Sequence, residues 1–141
     1  MTDNCVFCKI LAGELESSVV AEDEHAFAFM DLAQINAGHV LVVPRRHAVE
    51  LGDLSEDEAA NVFRLVHRVT TAFLNSGIPF DGYNIFQSNG EVAGQEVFHA
   101  HFHLIPRLRD DALHISIDPN RPRYDRDKMN QFAQHIAQAM K

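Results

Sequence analysis

Val97-Phe98-His99-Ala100-His101-Phe102-His103-Leu104-Ile105 alternates apolar residues with histidines. A period of two over this length predicts a β-strand across residues 97–105. Successive side chains of a strand point to opposite faces. Phe98, Ala100, Phe102 and Leu104 then share a core-facing side, and His99, His101 and His103 share the other. Two residues of strand advance about 6.6–6.8 Å, so neighbouring imidazoles on one face can reach different oxygens of a phosphate group. A plain half-buried strand is the alternative, but an outer face usually carries Thr, Lys or Glu. A catalytic zinc held by all three histidines is a further reading. One strand face spaces the rings too widely for that without distortion, so phosphate binding is preferred.

Reading outward, residues 83–87 form a second strand candidate. Asn89-Gly90 in the connection predicts a hairpin between it and residues 97–105. Val40-Leu41-Val42-Val43 lies between Gly38 and Pro44 and suits a strand buried on both faces. Residues 26–30 form another, with Phe27 and Phe29 on one face, and residues 19–21 a weaker one. Residues 5–13 read as a short helical segment closed by Gly13. The main helix is expected from Glu56 to about Ser76. Ser55 and Glu58 have capping-box spacing. Ala59, Val62, Phe63, Val66, Val69 and Phe73 recur at helical intervals, and Gly77 and Pro79 supply the stop. A last helix is expected over residues 126–140, with Met129, Phe132, Ala133, Ile136 and Met140 on one stripe. Strands and helices are partly segregated, which favours an α+β fold with an antiparallel sheet.

The 141 residues match one ordinary domain, and 46% hydrophobic with 23% charged residues is the balance of a globular protein. The net charge of −8 argues against a nucleic-acid partner. Local groups can still bind a small anion. Met1-Thr2-Asp3-Asn4 lacks the basic and apolar regions of a signal peptide. No apolar run is long enough to cross a bilayer. No membrane association is expected, and a cytoplasmic location is.

His99-Ala100-His101-Phe102-His103-Leu104-Ile105, the Gly38-His39 strand start, Gly94-Gln95 and the Cys5-x-x-Cys8 pair together resemble the histidine triad (HIT) nucleotide-binding family, in its bacterial form with an N-terminal Cys-x-x-Cys. The resemblance runs from Cys5 to Arg107. It implies a single HIT domain over residues 1–141, with a core at 5–109 and a C-terminal helical segment at 110–141. The implied fold is an antiparallel sheet of about five strands with a long central helix and a C-terminal helix, the sheet continuing across a homodimer. The resemblance further implies that His101 attacks the α-phosphorus of a nucleotide. A nucleotidyl-histidine forms and water then hydrolyses it, so one hard step becomes two easier ones. His103, His39 and Gln95 are implied to hold phosphate oxygens and to stabilise charge developing there. Asp31 is implied to accept hydrogen bonds from the ribose hydroxyls, the alternative being a surface turn after Met30. Phe29 is a candidate for the base pocket, or else for the core.

Some positions depart from common family variants. Glu96 stands where a hydroxyl residue often follows the Gln, and its carboxyl group can act as an acid only when protonated. Ser88 and Asn89 both lie where many members place an Asn near the phosphate. Ile105-Pro106-Arg107 replaces a segment that is often glycine-containing in the phosphoramidase branch. Cys5-x-x-Cys8 reads as half of a zinc site or as a redox pair. The strand–helix setting of a redox pair is missing, and His47 and His99 are the candidates to complete a tetrahedral structural Zn2+ site, an arrangement found in some HIT relatives. His25, His67, His114 and His135 match no motif. The leading expectation is an enzyme, a hydrolase of purine nucleoside phosphoramidates or related conjugates. A dinucleoside polyphosphate hydrolase or nucleotidyl transferase, a nucleotide-binding regulatory module and a zinc-stabilised interaction domain are the alternatives.

Overall fold

Small and aromatic side chains alternate in Ala26-Phe27-Ala28-Phe29, and that alternation fixes what packs on each face of the sheet. The computed structural model describes residues 4–140. In chain order the elements are α1 (Val6–Leu11), β1 (Val19–Glu22), β2 (Ala26–Met30), β3 (Val40–Pro44), α2 (Glu56–Leu74), β4 (Gly82–Phe86), β5 (Phe102–Arg107) and α3 (Arg126–Ala139). The five strands form one sheet in the order β1-β2-β3-β5-β4, and every neighbouring pair is antiparallel. The α+β fold with a five-stranded antiparallel sheet is therefore as expected.

Ala26, Ala28, Val40, Val42, Phe102 and Leu104 face α2 and meet its Val62, Leu65, Val66, Val69 and Phe73. The small residues of β2 let the helix approach closely. Phe27, Phe29, Leu41 and Val43 point the other way and meet Cys5, Phe7 and Cys8 at α1. The sheet thus carries a long helix on one face and a short one on the other. The face under α1 holds the histidines. α2 begins at Ser55, whose hydroxyl accepts from Glu58 N while Glu58 returns to Ser55 N, completing the anticipated capping box. Leu65 takes a buried place on this helix that Phe63 was expected to share, and Phe63 stays half exposed.

Two local expectations are corrected. The strand anticipated over 97–105 begins only at Phe102. Its ladder with β3 ends at Val42↔Phe102. Beyond that point Ala100 N bonds to Ala48 O at 2.7 Å, and Pro44 O accepts from the His99 side chain. Val43 and Pro44 continue β3 but do not pair with residues 100 and 101, so alternation alone no longer sets the faces. Phe98 is consequently exposed, whereas His99 and His101 are buried. β4 and β5 do pair, but no tight turn joins them. The connection spans residues 87–101 and contains a 3-10 turn at Glu91–Ala93 between Gly90 and Gly94, both with positive φ.

α3 forms as expected from its N-cap Asp125. Its apolar stripe finds no core in this chain: none of its residues is buried. No helix of the described residues is long and apolar enough to cross a membrane.

Candidate active site and metal cluster

The hairpin between β2 and β3 places Asp31 and His39 side by side. Asp31 N bonds to His39 O at 3.0 Å and closes the loop. Gln34 braces it from inside: its Oε1 accepts from Gly38 N and His39 N, both at 2.9 Å. Its Nε2 donates to His39 O and to Asp31 O. Gly38 has φ +97, and a Cβ there would lie 3.2 Å from Pro106 Cγ and 3.3 Å from both Ile78 Cγ2 and Phe73 Cε2. Both the backbone angle and the space require glycine before His39.

His39, His101 and His103 are ordered by their hydrogen-bond partners. Ile35 N donates to His39 Nδ1 at 3.3 Å, which puts the His39 proton on Nε2. That nitrogen lies 2.9 Å from His103 Nδ1 and 3.4 Å from Asp31 Oδ2. His103 therefore accepts at Nδ1 and carries its own proton on Nε2. His101 is arranged in the opposite sense. Its Nδ1–H donates to His99 O at 2.7 Å, leaving an unshared pair on Nε2. Burial lowers the pKa of His39 and of His101, and it holds His103 down to about 4. In each case burial disfavours the charged imidazolium.

His39, His101, His103 and Asp31 line one cavity of about 690 Å³, with Glu96 and Gly94 at one margin. Phe7, Leu41 and Val97 supply apolar wall, as do Ile35, Phe86, Ile105, Leu113 and Ile115, with His114 and Ser116 beside them. A few convergent polar groups in an apolar concavity is the usual form of a small-molecule site. A second concavity of about 740 Å³ lies beside α2. It is lined by His25 and His67, which are not hydrogen-bonded to each other, and its Arg68 is paired with Asp23, so the linked histidines lie in the first.

Four other site candidates lie elsewhere. Gln95 is buried, and its amide is spent on backbone: Oε1 accepts from Gly90 N at 2.8 Å, and Nε2 donates to Val49 O at 2.6 Å and Val97 O at 3.1 Å. Asn89 Oδ1 accepts from Leu51 N, while Ser88 sits in the same loop near Gly94. Phe29 is buried in the cluster under α1, where its ring meets Phe7 edge-on at 5.4 Å. Phe7, which also reaches His101 at 5.1 Å, is the aromatic side chain that lines the cavity from α1. Neither Phe7 nor Gln34 carried a motif signal. Helical phase within residues 5–13 could have marked Phe7.

Cys5, Cys8, His47 and His99 bring their ligand atoms within 4.8 Å of one another. Cys5 Sγ is 3.5 Å from His99 Nδ1, Cys8 Sγ is 3.6 Å from the same nitrogen, and Cys8 Sγ is 3.3 Å from His47 Nδ1. Tetrahedral zinc with bonds of about 2.3 Å to sulfur and 2.0–2.1 Å to nitrogen spaces its ligands by roughly 3.3–3.8 Å, so the cluster fits such an ion. The proton order fits as well. His99 Nε2–H donates to Pro44 O at 2.8 Å, which turns the Nδ1 lone pair toward both thiols. Burial holds His99 down to about 4, so this ligand is neutral. The cluster can bind a metal ion.

The chain is similar to known proteins. A family model described as the HIT domain matches residues 12–110. The adenosine 5'-monophosphoramidase of Schizosaccharomyces pombe is 39% identical over 108 residues, covering 77% of each chain. A solved HIT family protein from Bacillus anthracis superposes with a TM-score of 0.92 at 37% identity and covers 100% of both chains. A zinc-bound histidine triad family protein from Mycobacterium smegmatis superposes with a TM-score of 0.73 at 33% identity, over 95% of this chain and 96% of that one. With its triad, its sheet and its match over most of the sequence, the chain belongs to the HIT domain family.

Proposed function

We propose that the protein is a nucleotide-binding hydrolase that cleaves purine nucleoside phosphoramidates, or related nucleotide conjugates, at the α-phosphate through a nucleotidyl-histidine intermediate. One observation carries this reading: His101 offers an unshared Nε2 pair to the same cavity in which His103 offers an N–H. The Nε2 pair attacks the α-phosphorus, the phosphorus–nitrogen bond opens, and the departing amine nitrogen takes up a proton from water, which the proton released in the following hydrolysis replaces. Water then attacks the phosphorus, the bond to imidazole breaks, and nucleoside monophosphate leaves. His103 Nε2–H donates to a phosphate oxygen in both steps. His39 and Asp31 behind it stabilise the charge that this draws onto His103. Asp31 also has the acceptor capacity to receive the ribose hydroxyls. The S. pombe relative's name as an adenosine 5'-monophosphoramidase supports the same substrate class.

Cleavage of dinucleoside polyphosphates is less well supported. Further phosphates call for cationic partners along the chain. The cavity lining holds no Lys or Arg among the described residues. Arg107, close in sequence to the triad, is engaged by Asp111, Asn84 and Leu113. A turnover panel of AMP-amine conjugates against diadenosine polyphosphates tests the reading. Faster cleavage of the conjugates is expected. Preference for the polyphosphates would overturn it, and nucleotide binding with no turnover of either would point to a regulatory module.

We also infer one structural zinc per chain at Cys5, Cys8, His47 and His99, and a cytoplasmic homodimer whose sheet continues through β4. When bound, the ion supplies a cross-link between α1 and the strand ends. The dimer is supported by β4, an edge strand with Tyr83, Ile85 and Phe86 exposed, and by the uncovered stripe of α3.

A further inference from the structure

Asp111 is the most heavily satisfied carboxylate outside the histidine cluster. Its side chain is 4% exposed. It accepts from Arg107 Nε at 2.7 Å and Nη2 at 2.9 Å, from Asn36 Nδ2 at 2.8 Å, and from Leu108 N and Leu113 N at 3.1 and 3.2 Å. Arg107 in turn donates to Leu113 O at 2.6 Å and to Asn84 Oδ1 at 2.8 Å. Asn36 also donates to Pro106 O at 2.8 Å. One carboxylate therefore ties together the end of β5, the loop that carries Asp31, and the chain leaving the domain.

The consequence is positional. Right after this knot, residues 113–116 turn back and line the histidine cavity. Leu113 and Ile115 share the lining with Ile35, Phe86 and Ile105, while His114 and Ser116 are the polar members of the segment, which carries no Lys, Arg, Asp or Glu. Residues 114–117 have no regular backbone pairing and Ile115 is 56% exposed, so the knot at Asp111 is the hydrogen-bonded anchor next to the segment.

We propose that Leu113, His114 and Ile115 form a substrate-selecting wall of the cavity, and that Asp111 is the positioning residue that sets it in place. The wall favours an uncharged apolar or flat group on the substrate over a charged one. This rests on the proposed hydrolase reading. Two parts of a nucleotide conjugate have such chemistry, the base and the amine side, and the test separates them.

The panel varies the amine (indolylethyl, alkyl, carboxylate-bearing) at constant adenine, and then the base at constant amine. Wild type, Asp111→Asn and the double variant His114→Ala with Ile115→Ala are compared by KM and kcat, and by Kd with hydrolysis-resistant phosphonate analogues. Both altered residues of the double variant are exposed, so it tests the wall even where Asp111→Asn fails to fold. Loss of apolar contact in a pocket typically costs about 10–200-fold in discrimination. The expected result is a rise of about tenfold in KM and Kd for the apolar members of one series, with kcat within about threefold and the preference over charged members lost. The series that changes identifies the group on the wall. Unchanged preference in the double variant would overturn the inference while leaving the hydrolase reading intact. A wild type that binds no conjugate would overturn both.

Discussion

His101 and His103 stand two residues apart and are held for opposite tasks. The carbonyl of His99 accepts from the Nδ1–H of His101 and leaves its Nε2 pair unshared, as the proposed attack requires, whereas His39 donates to Nδ1 of His103 and leaves its proton on Nε2. His101→Ala should lower turnover on the order of 10⁴-fold or more while AMP still binds, since loss of a nucleophile removes the step itself. Turnover within a few-fold of the parent would remove the assignment. His103 also carries a pH signature. Its ordinary pKa of 6.5 falls to about 4 on folding. Between those values the unfolded chain binds a proton that the folded chain refuses, so stability rises with pH across that window. The contribution is complete above 6.5 and is lost as pH falls through about 4. Thermal scans should show Tm falling as pH drops over this range, with a smaller slope in His103→Gln. An equal slope in the variant would contradict the cause given. The alternation of histidines points to a phosphate-binding face and the family resemblance implies the two roles, but neither reveals the proton order. It depends on carbonyls and amides that only the fold brings near.

α1 shows how much a short element can depend on a cluster. It has only six residues, Val6–Leu11, too few to be a stable helix alone. Cys5 caps it and Cys8 lies one turn on, both beside His99 and His47. A zinc ion there would contribute to folding directly. Chelation should therefore lower Tm by several degrees or more, while the rate at low temperature falls much less. Instant loss of activity with an unchanged Tm would point instead to metal chemistry at the triad, and protein purified without chelator but free of metal would remove the site. The Cys-x-x-Cys spacing announced this cluster. The bounds of β5 were less legible. Val97 to Ile105 alternates as a strand should, but Val43 and Pro44 of β3 do not pair with residues 100 and 101. Phe98 is exposed for that reason, and the long connection after β4 replaces the tight turn that Asn89-Gly90 suggested. Gln95, which sequence pattern marked for phosphate, spends its amide on the backbone of that connection.

Across the whole molecule the apolar surface is unevenly covered. The two faces of the sheet are packed, yet β4 is an open edge and the α3 stripe of Met129, Phe132 and Ile136 is exposed. Large uncovered patches of this kind mark interaction sites, and twofold dimers are the commonest way to close them. Sedimentation at micromolar concentration should give twice the chain mass of 15.9 kDa. A single 15.9 kDa species would refute the dimer. The helical period of α3 was readable in residues 126–140, but period alone does not say what covers a stripe. Asp111 was unreadable for a related reason: Arg107 and Leu113 are near it in sequence, but Asn36 reaches it only once β2, β3 and β5 are assembled. The central claim is that His101 becomes bonded to phosphorus during the reaction, and the stereochemical course at the α-phosphorus tests it most directly. With a substrate made chiral there by sulfur and an oxygen isotope, two in-line displacements should return retention of configuration. Inversion would mean that water attacks directly and would contradict the nucleotidyl-histidine.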